Sequence, residues 1–298
     1  MTRPHDRLFG CGTALVTPFS SDGAVDESAL RALVDWQIEE GIHFLVPCGS
    51  TGEAATMTLR EHRRVVEIVV EQTRGRVPVA AGAGSNDTKK AVALSREMAA
   101  AGATHLLHVS PMYNKPPQRG IIAHFREVAA ATALPIIIYN VPGRTGSNVE
   151  ASTTLALATV PNIVAVKEAS GNMSQILEIL AARPPSFSVL SGDDAITLPL
   201  MAAGADGIIS VISNATPRLM ARLVELADAG EMVDARAIHD RLSPWMRCAF
   251  IESNPIPTKA ALAMMGRITN VLRLPLVPLS DGHVSAVRES LRGAGALE

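Results

Sequence analysis

The sequence predicts an α/β fold: a closed (β/α)8 TIM barrel over residues 1–213, with a helical region over residues 214–298 packed on it. Three observations predict this. Eight short apolar runs recur at intervals of roughly 25 to 30 residues. Longer amphipathic stretches fill the intervals. After about residue 213 the short runs stop and only helical patterns follow.

The runs are 12–19 (GTALVTPF), 44–49 (FLVPCG), 77–82 (VPVAAG), 104–110 (THLLHVS), 135–141 (PIIIYNV), 163–168 (IVAVKE), 187–192 (FSVLSG) and 207–212 (GIISVI). They are apolar on both faces, the mark of parallel strands covered by helices. Between the first two, DESALRALVDWQIEEG places Leu30, Leu33, Val34 and Ile38 at helical spacing, with Asp26 as N-cap and Gly41 as stop. LREHRRVVEIVVEQTRG, 59–75, reads the same way. An open doubly wound sheet would want a glycine fingerprint after its first strand. PFSSDGAVDES stands there instead, and AGAGSN (81–86) lacks the G-x-G-x-x-G spacing and reads as a tight turn. Beyond 213, TPRLMARLVELADAGEMVDARAIHDRLSPWMRCAF reads as two helices and PIPTKAALAMMG as another, with no linker-like composition before them.

Composition excludes several classes. A net charge of −2 with no basic run gives no reason to expect nucleic acid. No stretch approaches the roughly 18 uninterrupted apolar residues of a membrane span, and MTRPHDRLFG lacks the apolar core of a signal peptide. Cys11, Cys48 and Cys248 are far apart and odd in number, which suits reduced thiols in a cytoplasm. The eight histidines show no H-x-H or H-E-x-x-H, so they read as core or helix-packing residues and not as metal ligands.

In such a barrel the site lies at the carboxyl ends of the strands. There stand Ser50, Thr51 and Glu53 in CGSTGE, Tyr113 in PMYNKP, Tyr139 and Arg144 in YNVPGRTG, Lys167, the SGDD segment, and Ile209 with Ser210. Lys167 is the anomaly. The chain has five lysines against twenty-two arginines, and this one ends the apolar run Ile163-Val164-Ala165-Val166. The other four sit in polar or proline-rich surroundings. Loss of water lowers an ammonium's pKa from about 10.4 toward neutrality, and the free amine can attack a carbonyl to form a Schiff base. The competing reading is an ion pair to Glu168 or to an acid across the barrel. Schiff-base chemistry also needs a proton shuttle, which Tyr139 and nearby hydroxyls can supply. The turn with Ser50 and Thr51 can hold a carboxylate through its N–H groups, and Arg144 can hold a second. Taken singly, each has a structural alternative: a tyrosine–carbonyl tether, a helix N-cap, a surface ion pair.

GSTGE, YNVPGRTG and VAVKEASGN in this order, together with LSGDD, GADGIISV and NPIPTKAAL, resemble the dihydrodipicolinate synthase family of pyruvate-dependent class I aldolases over essentially the whole chain. The resemblance implies that Lys167 forms the Schiff base with pyruvate and that Tyr139 moves protons. Ser50 takes a relay position usually held by threonine, and Thr51 takes the pyruvate carboxylate. Tyr113 reaches into a neighbouring subunit, Arg144 meets the carboxylate of aspartate semialdehyde, and the backbone of Ile209 lies against pyruvate. It implies a homotetramer of tight dimers with no cofactor. A sister aldolase acting on a 2-keto-3-deoxy sugar acid or a 4-hydroxy-2-oxo acid, N-acetylneuraminate lyase, or a barrel that only binds a small ligand are the rival readings; Ser50 is shared with the neuraminate lyases, which are expected to lack the PGRTG arginine.

The resemblance also bears on feedback. In the strongly lysine-inhibited bacterial type, a histidine, a glutamate and a tyrosine hold the effector between the subunits of the tight dimer. Here those positions fall on Leu59, Lys90 and Met112, while His62 and Asn86 remain. At about 4 Å with an effective dielectric of 20, an ammonium facing the effector's ammonium repels it by roughly 4 kcal/mol. Steady-state titration with L-lysine is expected to show no half-inhibition below about 1 mM, the concentration that corresponds to roughly 4 kcal/mol of binding.

Overall fold

Proline limits the second and third strands. In the computed structural model, which describes residues 8–298, the predicted run 12–19 shifts to Gly10–Ala14 (β1), while 44–49 and 77–82 shorten to Phe44–Val46 (β2) and Ala80–Gly82 (β3). Pro47 follows β2 and Pro78 precedes β3, and neither has an N–H for a ladder. The other five strands are His105–Val109 (β4), Ile136–Asn140 (β5), Ile163–Glu168 (β6), Ser188–Ser191 (β7) and Gly207–Ser210 (β8). The helices between them are Glu27–Glu39 (α1), Leu59–Thr73 (α2), Thr88–Ala100 (α3), Gln118–Ala130 (α4), Pro142–Thr145 (α5), Ala151–Leu157 (α6), Met173–Ala182 (α7) and Thr197–Ala202 (α8). Asp26 caps α1 by accepting from the Ala29 N–H, and Gly41 follows it with φ of +90°. Thr58 and Glu61 close a capping box on α2. The segment 83–86 is the turn from β3 into α3, whose N-cap is Asp87. Residues 1–7, which hold most of the segment judged to lack a signal-like core as well as His5, lie outside the described residues.

All ladders are parallel, in the order β2-β1-β8-β7-β6-β5-β4-β3. The seam between β2 and β3 is closed by the bridge Leu45–Val79 and by Leu45 N–H to the Pro78 carbonyl at 3.0 Å. Two apolar layers result. Ala14, Phe44, Val46, Leu107, Ile137, Tyr139, Ala165, Leu190 and Ile209 fill the barrel. Alternate residues such as Ile136, Ile138 and Val166 face the helices.

The helix that completes the eighth unit is Pro217–Asp228 (α9), packed on β1 and β8. It lies beyond residue 213, so the repeat runs further than a boundary drawn at the last strand allows. Then follow Met232–Cys248 (α10), Ile256–Met264 (α11) and Asp281–Ala294 (α12); the last was not resolved as a separate helix from the sequence. α10 packs on α9 and α12, and its Trp245 donates to the Ile212 carbonyl just after β8. Among the described residues no helix is long and apolar enough to cross a membrane, and no cluster of three or more metal-ligating side chains occurs.

His108 is buried between β4 and α3, with Nε2 3.2 Å from Ser95 Oγ. Burial, with His124 nearby, pushes its pKa down to about 3. An unfolded histidine titrates near 6.5. Between those values the unfolded chain binds a proton that the folded chain does not, so stability falls as pH drops below 6.5. By pH 5 this one residue costs about 2 kcal/mol. Denaturant midpoints at pH 7 and pH 5 are expected to differ less for His108→Gln than for the parent chain.

Candidate active site

The alternation of β5 and β6 decides which side chains meet. Tyr139 and Lys167 are partners in the ladder, so both point into the barrel. Lys167 Nζ lies 4.2 Å from the centre of the Tyr139 ring. The next pair, Asn140 and Glu168, points outward. There Glu168 accepts from Asn140 at 3.1 Å, Gln175 at 3.3 Å and the Ser170 N–H at 2.8 Å. Glu168 is therefore engaged on the far side of the sheet, and the ion-pair reading of Lys167 with it does not hold. Among the described residues Lys167 has no hydrogen-bond or ion-pair partner; Ala165 and Ala169 flank it on the inner face. Burial pushes its pKa down to about 7, against an opposing pull from Asp194. Burial pushes the Tyr139 hydroxyl up to about 12, so it stays protonated at neutral pH.

Room for the lysine is made by a missing side chain. A Cβ on Gly192, at the end of β7, would fall 3.0 Å from Lys167 Cε and 2.8 Å from Ala169 Cβ. A cavity of about 350 Å³ opens above the amine, lined by Gly49, Ser50, Thr51, Tyr139, Arg144, Lys167, Asp193 and Asn254 among others. It adjoins a second of about 530 Å³ that shares Ser50, Tyr139, Arg144 and Asn254 and extends to His62 and Met112. Ser50 and Thr51 stand in the turn after β2. This turn packs so closely on β3 that a Cβ on Gly82 would lie 2.0 Å from the Cys48 carbonyl oxygen. Thr51 is buried and its Oγ1 accepts from Asn254 Nδ2 at 2.9 Å. Arg144 projects from the single turn of α5 at the mouth and is exposed.

Five of the seven residues expected from the sequence thus surround one cavity: Lys167, Tyr139, Ser50, Thr51 and Arg144. Ile209 does not line it. It belongs to the apolar layer within the barrel, and Val211, two residues on, reaches the wall instead. Tyr113 is 88 % exposed, with φ of +71°, and lines neither cavity of its own chain.

Four functional candidates escaped the sequence reading. Asp194 is buried and held by Ser210 Oγ at 2.5 Å and the Val211 N–H at 3.1 Å. Burial pushes its pKa up to about 6. Asn254, in NPIPTKAAL, meets the cavity, and its Oδ1 is buried without a partner. Arg247, from the last turn of α10, puts a second guanidinium on the wall with no acid paired to it among the described residues. Lys259, grouped with the lysines in polar or proline-rich surroundings, is fully buried in an ion pair with Glu53 at 2.6 Å. Asp194 lies within the SGDD segment but is not singled out there; for Asn254 and Lys259 no local signal exists, because their partners Thr51 and Glu53 lie more than 200 residues away in sequence.

Residues 7–294 match the Dihydrodipicolinate synthetase family. The chain belongs to that family. It is 50 % identical over 293 residues to a 4-hydroxy-tetrahydrodipicolinate synthase of Koribacter versatilis, covering 98 % of each chain. Identity to the synthase of the same name from Chlorobium limicola is 52 % over 289 residues, 97 % of this chain and 98 % of that one. The fold superposes with a TM-score of 0.95 on the chloride-inhibited dihydrodipicolinate synthase of Acinetobacter baumannii complexed with pyruvate, at 39 % identity and covering 97 % of this chain and 99 % of that one.

Only the neutral amine is a nucleophile, so reaction at Lys167 rises with pH through about 7 and levels off above it. Asp194 favours the ammonium, so Asp194→Asn is expected to move the midpoint to lower pH. The pH dependence of covalent trapping at Lys167, in both proteins, checks this.

Proposed function

We propose that this protein is a carbon–oxygen lyase, a 4-hydroxy-tetrahydrodipicolinate synthase that condenses pyruvate with L-aspartate 4-semialdehyde through a Schiff base on Lys167. One observation carries the reading most: an unpartnered amine, brought near neutrality by burial and laid against a tyrosine, at the floor of a cavity. The names of the relatives that match over nearly the whole chain support the same activity.

Pyruvate places its carboxylate on the N–H groups and hydroxyls of the Ser50–Thr51 turn, which brings C2 to Lys167 Nζ. The amine adds to C2, and the carbinolamine oxygen leaves as water with a proton from the Tyr139 hydroxyl. Loss of a C3 proton gives an enamine. Its C3 attacks the aldehyde carbon of the second substrate, whose carboxylate pairs with Arg144. The amino group of that substrate then displaces Lys167 at C2, closing the ring and freeing the enzyme. The chemistry belongs to the first committed step toward diaminopimelate and lysine, a cytoplasmic pathway, and draws on no cofactor. Tyr113 completes the relay in a neighbouring subunit of a homotetramer built from tight dimers; its exposure on its own chain supports that role.

Borohydride with pyruvate is expected to trap an adduct on Lys167 and on no other lysine, and Lys167→Ala to lose most of the rate. An adduct on Lys115 or Lys259, or none, sinks the mechanism. Arg144→Ala is expected to raise KM for the semialdehyde about 10- to 100-fold, the worth of one charge-assisted contact, while pyruvate trapping survives better. A preference for a sugar-derived aldehyde in a substrate panel would favour a sister aldolase.

A further inference from the structure

The turn that carries Ser50 and Thr51 is held by side chains more than 200 residues away in sequence. Cys48 and Glu53, at either end of it, have φ of +57° and +56°, a left-handed backbone that a residue with a Cβ adopts only at a cost. Lys259 on α11 donates to Glu53 Oε1 at 2.6 Å, and neither side chain has exposed surface. The Arg273 backbone N–H donates to Glu53 Oε2 at 3.1 Å. Arg273 then spans the turn's flanks, donating to the Gly23 carbonyl at 2.7 Å, the Thr56 carbonyl at 3.1 Å and Glu61 at 2.5 Å. Phe19 packs beneath both cations, 4.2 Å from Lys259 Nζ and 4.3 Å from the Arg273 guanidinium. Within the turn, Glu53 N–H donates to the Ser50 carbonyl at 3.2 Å.

A buried ion pair adds little net stability, since taking two charges out of water offsets their attraction, and an apolar pair of similar volume often does as well. What it does give is position. A carboxylate fixed on both oxygens, in a residue whose backbone is left-handed, pins the chain two residues from Thr51. Asn254, five residues before Lys259, donates to Thr51 Oγ1 from the same side.

We infer that Glu53 and Lys259 form a positioning pair that sets the N–H groups and hydroxyls of residues 49–52 for the keto-acid carboxylate. α11 thereby controls how pyruvate is seated, although neither residue touches the reacting atoms. The inference rests on the Ser50–Thr51 turn being the carboxylate site.

Borohydride trapping of pyruvate on Lys167, at varied pyruvate concentration, tests both levels. Thr51→Val is expected to raise the half-saturating concentration; if it does not, the turn is not the carboxylate site and the inference falls with that reading. The double variant Glu53→Gln/Lys259→Met removes both buried charges together. Its half-saturating pyruvate is expected to rise about tenfold or more, in line with the cost of ångström-scale misplacement, by a larger factor than its maximal trapping rate falls. Saturation like the parent's, or equal losses in affinity, rate and denaturation midpoint, overturns the inference and leaves the pair merely structural. Where the double variant does not fold, Glu53→Asp decides. It keeps the charges balanced but shortens the reach by one methylene, and the same split supports the inference while unchanged saturation overturns it.

Discussion

An amine that must be neutral near pH 7 has to be kept from water and from acids at once, and the fold is arranged around that requirement. The barrel interior supplies the dry surroundings. Strand alternation does the sorting: it turns Lys167 inward beside Tyr139 and sends Glu168 outward to Asn140 and Gln175. One residue of slip in β6 would exchange the two and put the carboxylate in the cavity. Asp194 stands as the exception. It is near enough to pull on the amine, yet its carboxylate is occupied by Ser210 and two backbone N–H groups.

The same sorting explains what could be read from the sequence. The barrel was legible because each strand is apolar on both faces, and Lys167 because it interrupts such a run. Tyr139 and Arg144 were legible because one stands near the end of the adjacent strand and the other just after it. Strand ends were not, where Pro47 and Pro78 cut ladders that hydropathy alone continues. The final barrel helix was assigned to the extension because no strand follows it. Asp194, Asn254 and Lys259 owe their roles to partners on other elements of the fold. Lys259 in particular has Pro255 and Pro257 as near neighbours, and only its contact with Glu53 marks it as buried. Ile209 shows the opposite limit. A residue can be placed on the right strand and its side chain still not line the cavity.

Charge is distributed by depth. At the floor the amine is close to neutral and the tyrosine protonated. Arg144 and Arg247 are exposed guanidiniums that line the cavity, as does Asp193. Under the proposed function, the rim favours the entry of carboxylates, and bond-making falls where little fixed charge opposes it.

The seam of the barrel has a consequence for how the chain is made. β1 pairs with β8, Thr13 Oγ1 meets Ser213 Oγ at 2.9 Å, and Asn214 bonds the backbone at Ala14 and Val16. During synthesis β1 thus waits for nearly two hundred residues before its second neighbour exists. Its apolar edge stays open while β2 to β7 are made, and the turn that carries Ser50 and Thr51 is not tied down by Lys259 until α11 has followed. A nascent chain of this design carries an unpaired parallel edge for tens of seconds at ordinary elongation rates, and holding that edge away from other chains is a demand the finished barrel no longer shows.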